Sequence, residues 1–274
     1  NGLELALGYS NNWGGFGWSS NYTLSSNSNR INELVRNYVH PETGAVINKD
    51  RLDVGGLGNA HFILKEGGTL GDLYSLTDVK RDDKGRVYVD KDGKVYRNNN
   101  VGDVKLGSVF PKANMAWRND FSYKGFNLSV MVSARFGGIV YSATQAALDL
   151  YGVSESSAQA RDKGYVEVNG NDYLTPESWF STVGGSDGIP QFYTYSATNV
   201  RLQEASLSYT FKKNHFFGLG DLTLSVTGRK LLMFYCKAPF DPETTATTGN
   251  YYQGIDKFMT PSTRNIGFNI KLKF

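Results

Sequence analysis

The sequence has 274 residues, and its 29 Lys+Arg against 26 Asp+Glu leave a net charge of +3, too small to point to nucleic acid or an anionic membrane surface. A single cysteine, Cys236, excludes an intrachain disulfide and a Cys-based metal site, and the three histidines, His40, His61 and His215, are scattered. No run approaches the ~18 apolar residues of a membrane helix, which leaves the β-barrel as the one membrane architecture still open.

Aromatic residues make up 14% of the chain and glycine contributes 31 residues, a composition of many strands and turns. Period-two alternation begins at once. Residues 2–10 place Leu3, Leu5, Leu7 and Tyr9 opposite Glu4, Ala6, Gly8 and Ser10. Residues 16–30 open with Phe16, Trp18, Tyr22 and Leu24 on one face, with Ser20 as a polar fault. Residues 111–123 set Ala113, Met115, Trp117, Phe121 and Tyr123 against Arg118 and Asp120, with Asn119 as a second fault. Residues 125–137 alternate Phe126, Leu128, Val130, Val132 and Ala134 with Asn127, Ser129 and Arg135. In 199–211, Val200 and Leu202 have the opposite parity from Leu207 and Tyr209, which predicts a bulge near 203–205. Residues 221–235 alternate cleanly only as far as Gly228, and 262–274 alternate to the last residue. A short helix is expected around Ser142–Tyr151.

The links between these seven strands alternate strictly. Those at 11–15, 124–125 and 212–220 are short, and those at about 32–109, 138–198 and 236–261 are long. Short turns at one end and long loops at the other are the layout of an antiparallel membrane barrel. The aromatics gather near the short-turn end, as an interfacial girdle would, and include Trp13, Trp18, Phe121, Phe216 and Phe217. The first long link is expected to hold a hairpin, Arg86–Val89 and Lys94–Tyr96 around Asp90-Lys-Asp-Gly93.

Several segments resemble the SusC/RagA-like TonB-dependent outer-membrane transporters. They are Asn199-Val-Arg-Leu-Gln-Glu-Ala-Ser-Leu-Ser-Tyr-Thr-Phe211, then Leu222–Phe234 with Ser225-Val-Thr-Gly228, then Phe240-Asp-Pro-Glu243, and Pro261-Ser-Thr-Arg264 ahead of Ile266–Phe274. Where the family usually has Gln-Asn-Leu after the glycine, this chain has Arg229-Lys230-Leu231. The resemblance implies an all-β fold, the C-terminal portion of a 22-stranded antiparallel transmembrane β-barrel, in the bacterial outer membrane. Seven strands alone would leave two edges unpaired in lipid, a penalty of tens of kcal/mol by order of magnitude. The resemblance therefore implies further barrel strands, a plug and N-terminal regions outside this stretch. It also implies a SusD-like surface lipoprotein, the TonB energy-transducing complex and outer-membrane lipid as partners, with no cofactor.

No enzyme is expected. Gly184-Gly-Ser-Asp-Gly188 fits the nucleophile-elbow spacing but lies in a glycine-rich loop followed by Pro190. Candidate substrate contacts are the loop aromatics Trp179, Phe180, Phe192, Tyr193, Tyr195, Tyr251 and Tyr252, which suit oligosaccharide and peptide equally. Arg118, Asp120, Arg135, Arg201, Arg229, Lys271 and Lys273 are the expected lumen-facing polar wall. Phe274 is expected to act as an assembly signal on the last strand. The function implied is TonB-dependent import of a bulky nutrient. Two alternatives stand beside it, a passive porin or surface adhesin barrel and a soluble carbohydrate-binding β-sandwich.

Overall fold

The structure is a computed structural model that describes residues 1–212, 220–244, 247, 249 and 252–274. The chain begins with a long hairpin, β1 (Gly2–Trp13) and β2 (Phe16–Asn27). The first long link carries β3 (Val35–Val39), β4 (Val46–Lys49), β5 (Arg51–Leu57), β6 (Ala60–Lys65), β7 (Asp72–Ser75), β8 (Asp78–Val79), β9 (Arg97–Asn98) and β10 (Val104–Ser108). A second hairpin follows, β11 (Ala113–Tyr123) and β12 (Phe126–Phe136). The second long link contains β13 (Ile139–Ser142), α1 (Ala143–Leu150), α2 (Glu155–Lys163), β14 (Val166–Val168), β15 (Asp172–Leu174), α3 (Pro176–Val183), a 3-10 turn at Pro190–Tyr193 and β16 (Thr194–Ser196). Then come β17 (Asn199–Phe211), β18 (Asp221–Cys236), the short β19 (Ile255–Asp256) and β20 (Asn265–Lys273).

One antiparallel seven-stranded sheet dominates, in the order β1-β2-β11-β12-β17-β18-β20. Each wall strand pairs with the next wall strand in the chain, so the sheet is a plain meander. Two of its turns are two residues long. Gly14 and Gly15 (φ 56° and 93°) join Trp13 to Phe16, and Lys124 and Gly125 (φ 46° and 88°) join Tyr123 to Phe126. Positive φ at both central positions is the I′ geometry, whose twist matches that of the flanking strands. Phe216, Phe217 and His215 lie outside the described residues.

The register sorts the side chains as alternation requires. Phe126, Leu128, Val130 and Val132 stand beside Tyr209, Leu207, Ala205 and Leu202, and Leu222, Leu224 and Val226 beside Leu272, Ile270 and Phe268. Ser20 and Asn119 are direct partners on this apolar face. Two tryptophans answer them: Trp18 Nε1 donates to Asn119 Oδ1 at 3.2 Å and Trp117 Nε1 to Ser20 Oγ at 2.9 Å. The bulge falls at Gln203, between Leu202 and Glu204. The alternation does break after Gly228, with Leu232–Tyr235 all exposed, but the strand does not end there. β18 continues to Cys236 through irregularities at Lys230 (φ 53°) and Leu231, opposite Gln203, and again at Phe234, between Met233 and Tyr235.

The three long links leave the same end of the sheet and pack on one another. Ala60, Phe62, Leu73, Val79 and Val109 of the first link share a buried cluster with Tyr141, Ala146, Val183, Ile189 and Tyr193 of the second and Ile255 of the third. The short helix starts on Ser142, whose hydroxyl accepts from Gln145 N–H. Helices α2 and α3 are additions to the sequence reading, although Thr175-Pro176-Glu177 is a helix-start signal. The expected hairpin at 86–96 is corrected. The turn closes, with Gly93 N–H donating to Asp90 C=O, but its arms do not pair with each other. Lys80 runs between them instead, accepting from Tyr88 N–H and donating to Tyr96 C=O.

Candidate functional site

The seven charged residues of the expected wall come from β11, β12, β17, β18 and β20, and all occupy one face of the sheet. On this face Arg118 stands opposite Met131 and Asp120 opposite Ser129, Arg229 is paired in register with Glu204, and Lys271 and Lys273 lie beside Thr223 and Asp221. Arg118 Nε lies 3.1 Å from Asp120 and Arg229 Nε 2.9 Å from Glu204. Lys271 and Lys273 are exposed and form no ion pair among the described residues.

Two members of the set are covered by loops. Arg201 is 2% exposed; it donates to both carboxylate oxygens of Asp241 and lies 3.3 Å from Glu243. The Asp-Pro-Glu segment of the third link thus sits on the strand motif that contains Arg201. Burial opposes ionisation of Asp241, but hydrogen bonds from Arg201 and from Glu243 N–H carry its pKa below the ordinary carboxylate value. Arg135 donates to Val109 C=O at 2.7 Å, which ties the wall to the first link.

The predicted loop aromatics separate. Trp179, Phe192, Tyr193 and Tyr195 converge on a cleft of about 790 Å³ formed by α1, the start of α2, α3 and the 190–196 segment, with Lys237 and Pro239 at its edge. Trp179 and Phe192 meet edge to face at 5.0 Å. Tyr195 packs edge to face on Phe240 at 5.9 Å. Phe180 faces a different recess, between α2 and α3. Tyr252 lies edge-on to Phe62, away from the cleft, and Tyr251 falls outside the described residues. Phe274 is 93% exposed, one residue beyond the paired part of β20.

Sequence reasoning missed the polar floor of this cleft. Asp149, 5% exposed, accepts at Oδ1 from Gln145 Nε2 at 3.0 Å, from Ser156 Oγ at 2.8 Å and from Ser154 Oγ. The Tyr193 hydroxyl is buried beside the Asp149 carboxylate, and no acceptor among the described residues meets it in good hydrogen-bond geometry. Burial, and then the nearby Asp149 carboxylate, pushes the phenol well above its ordinary value, so it stands as a neutral O–H. The only available signal was the serine run after Asp149, which reads as a helix cap rather than a site.

Gly184–Gly188 is a clamp between links. Asn59 Nδ2 donates to Asp187 C=O at 2.8 Å and Gly188 C=O at 2.9 Å, and Thr77 Oγ1 donates to Gly188 C=O at 3.0 Å. A Cβ at Gly188 would come within 2.1 Å of Val183 O. A helix, not a strand, precedes the segment, so it is not a nucleophile elbow.

No family model matches the chain. Its sequence is 24% identical to TonB-dependent receptor P3 of Formosa agariphila over 94% of this chain and 27% of the receptor. Among solved structures it is similar to the RagAB peptide transporter, with a TM-score of 0.60 and 16% identity, over 100% of this chain and 29% of that one. It is also similar to the RagAB peptide importer in the open-open state, with a TM-score of 0.63 and 15% identity over 28% of that chain. The resemblance to the SusC/RagA-like TonB-dependent receptors holds. The chain has the all-β fold of part of such a receptor's barrel, and it spans about a quarter of the length of the relatives it matches.

Proposed function

We propose that this chain is part of the barrel wall, and of its extracellular cap, in a TonB-dependent importer of the bacterial outer membrane. The observation that carries the reading is the meander sheet itself. One face is apolar from β1 to β20, the other carries the charged and hydroxyl residues, and every long link leaves from one end. A sheet of this kind meets lipid on one side and water on the other. The likeness to a TonB-dependent receptor supplies the energised character.

In this reading the charged face lines the lumen and the links at 32–109, 138–198 and 236–261 lie outside the cell. The cargo is a bulky nutrient, an oligosaccharide or a peptide, and the structural relatives are peptide transporters. In this reading transport rests on binding and gated release. Further strands of the same barrel close the open edges at β1 and β20, a plug fills the lumen, and a SusD-like lipoprotein covers the cap.

The test is uptake by cells that express the full-length protein. Import of a labelled peptide or oligosaccharide library should stop when TonB is removed or the proton gradient is collapsed. Uptake that continues would identify a passive porin. A protein whose band in detergent does not shift on heating would identify a soluble sandwich.

A further inference from the structure

Asp149 occupies an unusual position. Its three side-chain hydrogen bonds all fall on Oδ1, so that one oxygen completes the capping of α2 through Ser154 and Ser156. Oδ2 makes no hydrogen bond among the described residues, and no cation pairs with the carboxylate. A carboxylate that is nearly buried and held only by neutral donors lacks the counter-charge that such groups ordinarily have.

The surroundings suit one kind of counter-charge. Asp149 and Tyr193 line the cleft together with Trp179, Phe192 and Tyr195, and the buried Tyr193 hydroxyl lies just behind that lining, beside the carboxylate. A carboxylate set among aromatic faces attracts an organic cation twice, by direct charge and by the ring quadrupoles. A primary ammonium also donates hydrogen bonds, and Asp149 Oδ2 and the Tyr193 oxygen are both able to accept them. A neutral sugar hydroxyl would leave the carboxylate charge uncompensated. Of the other charged side chains at the cleft, Glu155 strengthens the preference for a cation, and Lys237 at the edge is the internal competitor.

We infer that the cleft bounded by Asp149, Tyr193, Trp179 and Phe192 is a binding site for a primary ammonium group carried by the transported or captured ligand. The inference rests on the import reading only for what that ligand is; binding of the ammonium stands apart from it. Three sources share this chemistry: a peptide N-terminus, a lysine side chain and an amino sugar.

The experiment uses the purified full-length protein in detergent and follows Trp179 fluorescence, with a Trp179→Phe control to identify that signal. The probes are trialanine and its N-acetyl form, an N-acetylated lysine peptide with its side chain free or acetylated, and glucosamine against N-acetylglucosamine. The expected result is saturable binding of at least one free-amine probe, lost about tenfold or more on acetylation and again in Asp149→Asn. The probe that binds names the source. Tyr193→Phe, which leaves the α2 cap intact, should weaken the same probe, and it keeps the test valid if Asp149→Asn fails to fold. Equal binding of free and acetylated probes, or no binding of any probe to folded protein, overturns the inference. Energised uptake measured separately in cells leaves the import reading standing in either case.

Discussion

Arg201 donates from Nη1 and Nη2 to the two carboxylate oxygens of Asp241, at 3.0 and 2.7 Å. The pair joins a wall strand to a loop forty residues further on, and both side chains are nearly removed from water. Asn199 Oδ1 accepts from Arg201 Nε at 3.2 Å, so the guanidinium is held from three sides. This contact anchors the start of the third link over the wall, and the pairing of β19 with β13 and the Ser142–Asp256 hydrogen bond hold the link further on.

Removing one partner should cost far more than removing both. Asp241→Ala leaves a buried guanidinium short of its main acceptor, and the expected loss is about 3–5 kcal/mol. Arg201→Met combined with Asp241→Leu should be milder. Thermal unfolding in detergent and protease cutting within 236–261 report the two effects. Equal losses in the single and double variants would show that the pair only fills space.

The same pair sets an acid limit. The folded pKa of Asp241 is depressed, so its contribution is complete above the unfolded carboxylate value of ~3.9 and is lost as pH falls through the lower folded value. Asp103 behaves alike: Arg51 at 2.6 Å and Lys65 at 2.8 Å hold its carboxyl well below the usual range. Protection of the links in hydrogen exchange should therefore stay flat from about pH 5 to 8 and fall only below about pH 4. Loss of protection near neutrality would point to a different group.

Trp18 and Trp117 should be coupled to the polar pair they answer. Trp18→Phe leaves Asn119 without its donor on an apolar face, and the expected cost is about 1–3 kcal/mol. Adding Asn119→Leu should recover most of it. A double-mutant cycle in lipid vesicles measures this, and simple additivity would show that the indole hydrogen bond carries no energy.

The two faces of β12 predict opposite responses. Spin labels at Leu128, Val130 and Val132 should report lipid, and labels at Asn127 and Ser129 should report water. Val130→Arg should cost ~2–4 kcal/mol if the residue lies near mid-membrane, whereas Ser129→Arg should cost little. Labels that report uniform burial on both faces would remove the membrane reading.

The thiol of Cys236 is half-buried and lies 3.4 Å from Ala238 O and 3.6 Å from Phe240 O. An impermeant thiol reagent should label it slowly in the native protein and quickly in Asp241→Ala, where the start of the third link loses its anchor at Arg201. Fast labelling of both proteins would show that the link is open without help.

The wall was legible in the sequence because a strand repeats every two residues, and a half-wet sheet writes that period into its hydrophobicity. Leu3 to Tyr9, Phe126 to Val132 and Ile266 to Leu272 needed no knowledge of their neighbours. The order of short and long links was equally plain, and so was the bulge, because Val200 and Leu202 break parity with Leu207. The cap was not legible in the same way. Its core joins Phe62, Tyr141, Val183 and Ile255, residues that belong to three separate links and follow no common period. The aromatics of the second link looked alike in sequence, yet packing turned Tyr193 into the core, set Phe180 on another recess and left Trp179 beside Phe192. Likewise Arg201 read as one more polar wall residue until Asp241 covered it. Local periodicity fixes which face a strand side chain takes; which loop lies over that face depends on contacts between segments distant in the chain, and these only the tertiary structure decides.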